Sequence, residues 1–227
     1  MTKKKYFFIG IGGIGMSSIA QYLHEKENII LGYDASENKS IKILLKKGID
    51  VINKLSLKSI PDYMKKDDVI VVYTPAIPDD NIFLKYFRKN GNNQIYKRSE
   101  MLGEISKQSK CIAVAGTHGK TTTCAIISHL FHSSGIHFKA FIGGIMKCFD
   151  SNFINTGNDY IIVEADEYDR SFLNLNPNYA VITSIESDHL DIYGDLKSLV
   201  ESFQSFTNNV KDVLITCLLY TSDAADE

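Results

Sequence analysis

Apolar runs rich in β-branched and aromatic residues alternate along the chain with stretches of helical period. Tyr6 to Ile11 predicts a strand, Met16 to Glu27 a helix, Ile29 to Tyr33 a second strand, and Ile41 to Lys47 a second helix. The series continues with a buried strand at Val69 to Tyr73, a helix over Asn81 to Lys89 and a short strand near Gln94 to Tyr96. A repeated strand-helix-strand rhythm of this kind predicts an α/β layer with a parallel sheet. A second series opens at Cys111 to Ala115, a buried strand that runs into Gly116 and a helix from Lys120 to Ser133. Strands are expected again at Lys139 to Ile142, Tyr160 to Glu164 and Tyr179 to Thr183. The count restarts between Arg98 and Gln108, so the chain divides into an α/β domain over 1–105 and a second over 106–215. Val213-Leu214-Ile215 has the pattern of one more core strand. The stretch 216–227 departs from it and reads as a frayed end or as extraneous, non-native sequence.

Composition narrows the class without naming it. Of 227 residues, 44% are hydrophobic and 23% charged, with 15 Gly and only 4 Pro, the balance of a globular protein with room for one to two cores. Lys and Arg total 25 against 27 Asp and Glu, a net charge of −2. This is no electrostatic footprint for nucleic acid or an anionic membrane. Cys111, Cys124, Cys148 and Cys217 form no CxxC pair and read as reduced, packed thiols of a cytoplasmic protein. Lys3-Lys4-Lys5 before the apolar run from Tyr6 to Ala20 imitates a secretory signal, but Gly10, Gly12, Gly13 and Gly15 interrupt it. No other run approaches the roughly 18 apolar residues of a membrane span.

Those glycines have a mechanical meaning. Gly10-x-Gly12-x-x-Gly15 follows a predicted strand and opens a predicted helix. In that context glycines make the tight turn and admit a diphosphate against the helix N-terminus, as in a Rossmann-like domain. Asp34 closes the next strand, where a carboxylate meets a ribose hydroxyl. The motif specifies the diphosphate and leaves the nucleoside open. Thr74-Pro75-Ala76-Ile77-Pro78 leaves the end of the Val69 to Tyr73 strand at the edge where such sheets bind ligands, yet by its residues alone it reads as a proline-stiffened turn.

The second domain carries the sharper signal. Gly116-Thr117-His118-Gly119-Lys120-Thr121-Thr122-Thr123 lies between a buried strand and a helix, as a P-loop does, in a shortened form with Val114 where a longer motif has glycine. Backbone N–H groups of such a loop surround phosphate oxygens, Lys120 neutralises the β and γ phosphates, and the Thr121 hydroxyl ligates Mg²⁺. Tyr160 to Val163 ends in Glu164-Ala165-Asp166-Glu167, which places Glu164 or Asp166 at a strand tip beside the loop in a metal-holding role. His189, within Ser187-Asp188-His189-Leu190-Asp191 after the next strand, is a surface histidine or a further metal or phosphate contact. His129, His132 and His137 read as helix-face or loop residues.

Taken in order, Gly10-Ile11-Gly12-Gly13-Ile14-Gly15-Met16, Arg98-Ser99-Glu100-Met101-Leu102, Gly116 to Thr123, Val163-Glu164-Ala165-Asp166-Glu167-Tyr168-Asp169 and Asp188-His189-Leu190-Asp191 closely resemble the Mur ligases. The resemblance spans about residues 5 to 215. It implies a three-domain ligase of peptidoglycan precursor synthesis: a UDP-sugar domain, a central ATPase domain, and a C-terminal domain absent from this sequence. It also implies ATP and Mg²⁺ as cofactors, UDP-N-acetylmuramate and L-alanine as substrates, and an acyl-phosphate intermediate. By the same resemblance Lys120, Glu164 and His189 are catalytic, and Thr121, Glu164 and His189 hold the metal. ATP falls to Gly116, Thr117, His118, Gly119, Lys120, Thr121 and Thr122. The UDP-sugar falls to Gly12, Gly13, Ile14, Gly15, Asp34, Thr74, Pro75, Ala76 and Ile77.

Two features limit that assignment. Ser184 stands where many members have Asn, and the central domain is incomplete, so the chain is expected to be a fragment inactive alone. A branch of the family that re-attaches murein tripeptide shares the phosphate loop, but its first glycine motif usually carries Cys and lacks Gly-Gly. A nicotinamide-dependent dehydrogenase or sensor would use residues 1 to 100 and leave the second loop idle; an ATP-driven switch would do the reverse.

Overall fold

The computed structural model describes residues 3–66, 68–90, 93–186, 193 and 195–216. They form an α/β structure that divides into two compact units, Met1–Leu102 with Gly143–Phe153, and Gly103–Ile142 with Ile154–Glu227.

The first unit is built on a five-stranded sheet in the order β3-β2-β1-β4-β5. Its strands are β1 (Lys5–Ile9), β2 (Ile29–Tyr33), β3 (Asp50–Ile52), β4 (Val69–Tyr73) and β5 (Ile95–Lys97), and every pairing is parallel. The central strand β1 is buried on both faces from Tyr6 to Ile9, which is why it reads as a continuous apolar run. On one face Phe7 packs edge-on to Phe83 with ring centroids 5.5 Å apart, and Tyr33 meets Phe83 at 5.0 Å. Phe83 and Phe87 come from α3 (Ile82–Lys89), whose N-terminus is capped by the Asn81 side chain. Helices α1 (Ile14–Glu25) and α2 (Lys39–Lys46) connect β1 to β2 and β2 to β3, and α4 (Arg98–Ser106) follows β5. The expected helix over Met16 to Glu27 starts two residues earlier, inside the glycine motif, and ends before Glu27, which has φ 60°.

The second unit has α5 (Lys120–Ser133), α6 (Leu196–Thr207) and a mixed sheet in the order β11-β10-β6-β9-β7-β8. Its strands are β6 (Lys110–Ala115), β7 (Phe138–Met146), β8 (Ser151–Asn155), β9 (Tyr160–Glu164), β10 (Tyr179–Ile182) and β11 (Val213–Thr216). Four residues join β7 to β8, so these two run antiparallel; the other pairings are parallel. Residues 143–153, the far part of this hairpin, pack with the first unit, where the side chains of Asn152, Gln21, Ser17 and Ser151 form a buried hydrogen-bonded cluster. Neither β8 nor α6 is among the elements expected from the pattern. β8 is short and carries polar Ser151 and Asn152 buried, while α6 packs Phe203 and Phe206 against Phe172. The expected core strand Val213-Leu214-Ile215 is instead exposed along its length, because it lies at the sheet edge with β10 as its neighbour among the described residues.

Candidate functional site

In the first unit, the loops after β1, β2 and β4 converge at the C-terminal edge of the sheet, where open α/β sheets place ligands. They enclose a cavity of about 720 Å³ lined by Gly10, Gly12 and Gly13, by Asp34 and Asn38, and by Thr74, Ala76 and Ile77. The structure therefore brings the first glycine motif together with the Thr74 loop, while Ile14, Gly15 and Pro75 stand outside the lining. Asp34 reaches back across the loop: its Oδ2 accepts the Gly12 N–H at 2.7 Å and its Oδ1 accepts the Ser36 N–H and hydroxyl at 2.9 and 2.6 Å. Any side chain at position 12 would collide with that carboxylate, since a Cβ there would sit 2.8 Å from Oδ2. Asp34 thus holds the glycine loop as well as facing the cavity. Leu55, Asp80, Asn81 and Ile82 also line it and escaped the sequence reading as site residues, since they lie in loops or at the start of α3, whose return to the sheet edge no local pattern announces. Arg98, noted in the sequence only as part of a motif, lies where a Cβ on Gly15 would come within 2.8 Å of its Nη1.

Helix capping sets the two glycine-rich junctions apart from α2, α3 and α6. Side chains of Asn38, Asn81 and Asp195 cap α2, α3 and α6. The helices that follow the glycine motifs, α1 and α5, have Gly13 and Gly119 at the N-cap and receive no side-chain cap. First-turn N–H groups have no acceptor within their own helix, and together with the positive dipole end they suit a phosphate.

In the second unit, β6 delivers the chain into Gly116 at the centre of the sheet. Gly116 has φ 130° and lies so close to β10 that a Cβ would sit 2.1 Å from Thr183 Oγ1 and 2.9 Å from the Ser184 backbone. Only glycine admits that approach. The following residues are pinned to the next strand end: Thr117 N–H donates to the Ser184 carbonyl at 2.9 Å, His118 N–H to Ser184 Oγ at 3.2 Å, and the Thr183 hydroxyl to the His118 carbonyl at 2.5 Å. Ser184, the departure noted in the sequence, therefore supplies two acceptors to the loop. The Thr117 and His118 amides engage this brace. His118 Nε2 lies 3.6 Å from Glu186.

Lys120 opens α5 with its ammonium folded back over the loop. Nζ donates to the Gly116 carbonyl at 2.6 Å and to both oxygens of Glu167 at 2.9 and 2.8 Å. Glu167 meets the lysine with both carboxylate oxygens. Glu164 ends β9 half-buried, in register with Val114 two residues before Gly116, and its charge joins burial in raising the Cys124 thiol pKa. Thr121 and Thr122 are exposed on the first turn of α5. His189, with Asp188 and Asp191, lies outside the described residues. The ammonium of Lys120, the Thr121 hydroxyl and a carboxylate on the strand beside the loop are a donor set that fits a triphosphate with its divalent cation; among the described residues no three His, Cys, Asp or Glu side chains cluster as a metal site. Of the cysteines expected to be packed, Cys111 and Cys124 are buried, but Cys148 is exposed on the turn between β7 and β8, and Cys217 lies outside the described residues.

Family models match nearly the whole chain. Residues 5–110 match the model described as "Mur ligase family, catalytic domain" and residues 114–225 that of the "Mur ligase middle domain". A UDP-N-acetylmuramate--L-alanine ligase of Christiangramia forsetii is 44% identical over 211 residues, 92% of this chain and 46% of its own. One from Porphyromonas gingivalis is 45% identical over 210 residues, again 92% and 46%. Among solved structures, a UDP-N-acetylmuramate-alanine ligase from Thermotoga maritima superposes with a TM-score of 0.83 at 30% identity, covering 93% of this chain and 48% of that one. The chain thus spans about half the length of the curated relatives it matches. With both matches falling on the two glycine-loop regions described above, the chain belongs to the Mur ligase family.

Proposed function

We propose that this chain is the substrate- and nucleotide-binding half of an ATP-dependent ligase that joins L-alanine to the carboxylate of UDP-N-acetylmuramate in the cytoplasm. The observation that carries the reading is the pair of uncapped helix N-termini behind glycine loops, one in each unit, the second with Lys120 over it. A single-nucleotide dehydrogenase or a simple ATP switch uses one such site and leaves the other idle. The names and coverage of the relatives support the substrate assignment.

In this reading the cavity bounded by Gly12, Asp34 and the Thr74 loop takes the UDP-sugar, and the loop from Gly116 to Thr122 takes ATP. The substrate carboxylate attacks the γ-phosphorus, ADP leaves, and the resulting acyl phosphate is attacked by the amine of alanine, which expels inorganic phosphate. Lys120 stabilises the charge that develops on the transferring phosphoryl group, and the α5 amides hold the remaining phosphate oxygens. Thr121 and Glu164, with His189, would hold Mg²⁺, which when bound supplies further charge neutralisation of the phosphates. Turnover belongs to the complete ligase, because positioning the amine needs sequence beyond this half. The 227-residue chain is expected to bind the UDP-sugar without forming product.

Calorimetry on the chain with UDP-N-acetylmuramate and with NADH tests the first site; tighter binding of NADH would overturn the assignment. For the second site, Lys120→Ala in the complete ligase should lower the rate of ADP release by about a hundredfold or more while UDP-sugar affinity holds. Near-normal ADP release would remove the loop from the reaction.

A further inference from the structure

We propose that Glu167 is the positioning residue of the nucleotide site, holding the Lys120 ammonium in place while the loop carbonyls give way to phosphate. The inference rests on the ligase reading above and adds a residue to it.

An ammonium has three N–H donors, and in this structure Nζ has four oxygens around it: Gly116 O at 2.6 Å, Thr117 O at 3.3 Å, and the two Glu167 oxygens at 2.9 and 2.8 Å. A phosphate oxygen must displace some of them. The partners are not equivalent. The Gly116 and Thr117 carbonyls are neutral, and one of them is already distant. Glu167 is a carboxylate with 1% of its side chain exposed, and a buried charge stripped of its counter-ion is strongly disfavoured. The exchange therefore falls on the carbonyls, and the ion pair persists when nucleotide binds.

Glu167 is also built as an anchor. Its own carbonyl accepts the Tyr193 hydroxyl at 2.5 Å and the Arg170 N–H at 2.9 Å. It opens the 3₁₀ turn Tyr168–Asn174, which is fastened by Phe172, a fully buried ring packed on Phe203 and Phe206 of α6. Lys120 has four rotatable side-chain bonds, and a carboxylate fixed to the core restricts them to one arrangement, so little ordering remains when the transition state forms. Both Glu167 oxygens lie within 2.9 Å of Nζ, and the geometry points to Glu167 for this role.

The test is steady-state kinetics of ADP release by the complete ligase. Glu167→Gln keeps the shape and removes the charge; it should lower kcat at least about tenfold with KM for ATP changed by less than about threefold. Lys120→Ala combined with Glu167→Gln should be no slower than Lys120→Ala alone, because a residue that acts through the lysine has nothing left to position. Wild-type kcat in Glu167→Gln, or a double variant slowed by the full product of the single effects, would overturn the proposal. Glu167→Asp covers the case in which the Gln variant does not fold. It keeps the charge and shortens the reach, so an intermediate kcat is expected, whereas wild-type kcat would show that charge alone matters and overturn the positioning role. If Lys120→Ala itself turns over normally, the ATP-site reading fails and this inference with it, an outcome distinct from a silent Glu167.

Discussion

The closeness of Gly116 to β10 makes one substitution informative beyond its own site. Gly116→Ala would place a methyl carbon 2.1 Å from Thr183 Oγ1 and 2.9 Å from both N and O of Ser184, at φ 130°. Three contributions add. An L residue held in this sparsely populated region costs about 1–3 kcal/mol. Thr183 must swing away, giving up its hydrogen bonds to the Ala115 and His118 carbonyls, about 0.5–1.5 kcal/mol each. The Ser184 backbone has no rotamer to change and must shift, an overpacking cost of roughly 1–3 kcal/mol. The expected loss is therefore about 3–9 kcal/mol, much of the roughly 5–15 kcal/mol that holds a domain folded.

Gly135→Ala is the matched control within the same unit. Gly135 also has positive φ, 69°, but nothing lies within 4 Å of its built Cβ, so only backbone strain of about 1–2 kcal/mol applies. Urea unfolding followed by far-ultraviolet circular dichroism reads both. With a slope near 2 kcal/mol per molar for a unit of this size, the Gly116 variant should lose about 1.5 M or more in midpoint and the Gly135 variant about 0.5–1 M. Adding Thr183→Ala removes the 2.1 Å contact and leaves Ser184, so it should recover only part of the loss. Equal midpoints for the two alanine variants, or full recovery by the second substitution, would refute the claim that the loop and the β10 strand end are locked at backbone level.

Other outcomes follow from the same geometry. Asp34→Ala removes the acceptor of the Gly12 amide, a charge-assisted bond of about 1.5–3 kcal/mol, and calorimetry should show UDP-sugar affinity down at least about tenfold; unchanged affinity would mean the brace is idle. Asn152→Ala strips partners from Gln21 and the Ile14 carbonyl in a fully buried cluster, so the first unit should lose about 2–4 kcal/mol with faster proteolysis at 143–153, and native resistance there would count against the cluster. In thiol alkylation at pH 8 mapped peptide by peptide, Cys148 should react before Cys111 and Cys124. Burial pushes the Cys111 thiol up to about 12 and Cys124 well above its ordinary value, so both stay protonated and shielded until the chain unfolds; early labelling of either would contradict their burial.

Much of the fold was legible because parallel strands buried on both faces have to be apolar along their buried stretch, and β1, β4, β6 and β9 are, with Lys5, Lys110 and Glu164 confined to strand ends. The elements that escaped are those whose burial is not local in origin. β8 places Asn152 and Ser151 inside, satisfied by Gln21 and Ser17 more than a hundred residues away in sequence, so no hydropathy pattern could mark it as interior. β11 has the opposite history: an apolar triplet that reads as core lies exposed, because burial depends on what flanks a strand and not on its own residues.

The site divides along the same line. The glycine loops were legible because the glycines satisfy backbone needs, positive φ and close approach, that few other residues meet. The carboxylate that meets Lys120 was not, since Glu164, Asp166 and Glu167 crowd into four positions and strand alternation stops informing where β9 ends at Glu164. Beyond that point direction is set by the 3₁₀ turn, and the turn is set by Phe172 reaching the α6 rings and by Tyr193 bonding the Glu167 carbonyl. Thus the carboxylate that meets Lys120 is chosen by aromatic packing distant from the loop. The consequence is physical as well as methodological. A lysine waiting beside a phosphate site without a fixed counter-charge would be free to sample solvent. Here its charge is already balanced against the core, so in the proposed ATP site a nucleotide would have only to displace two carbonyls.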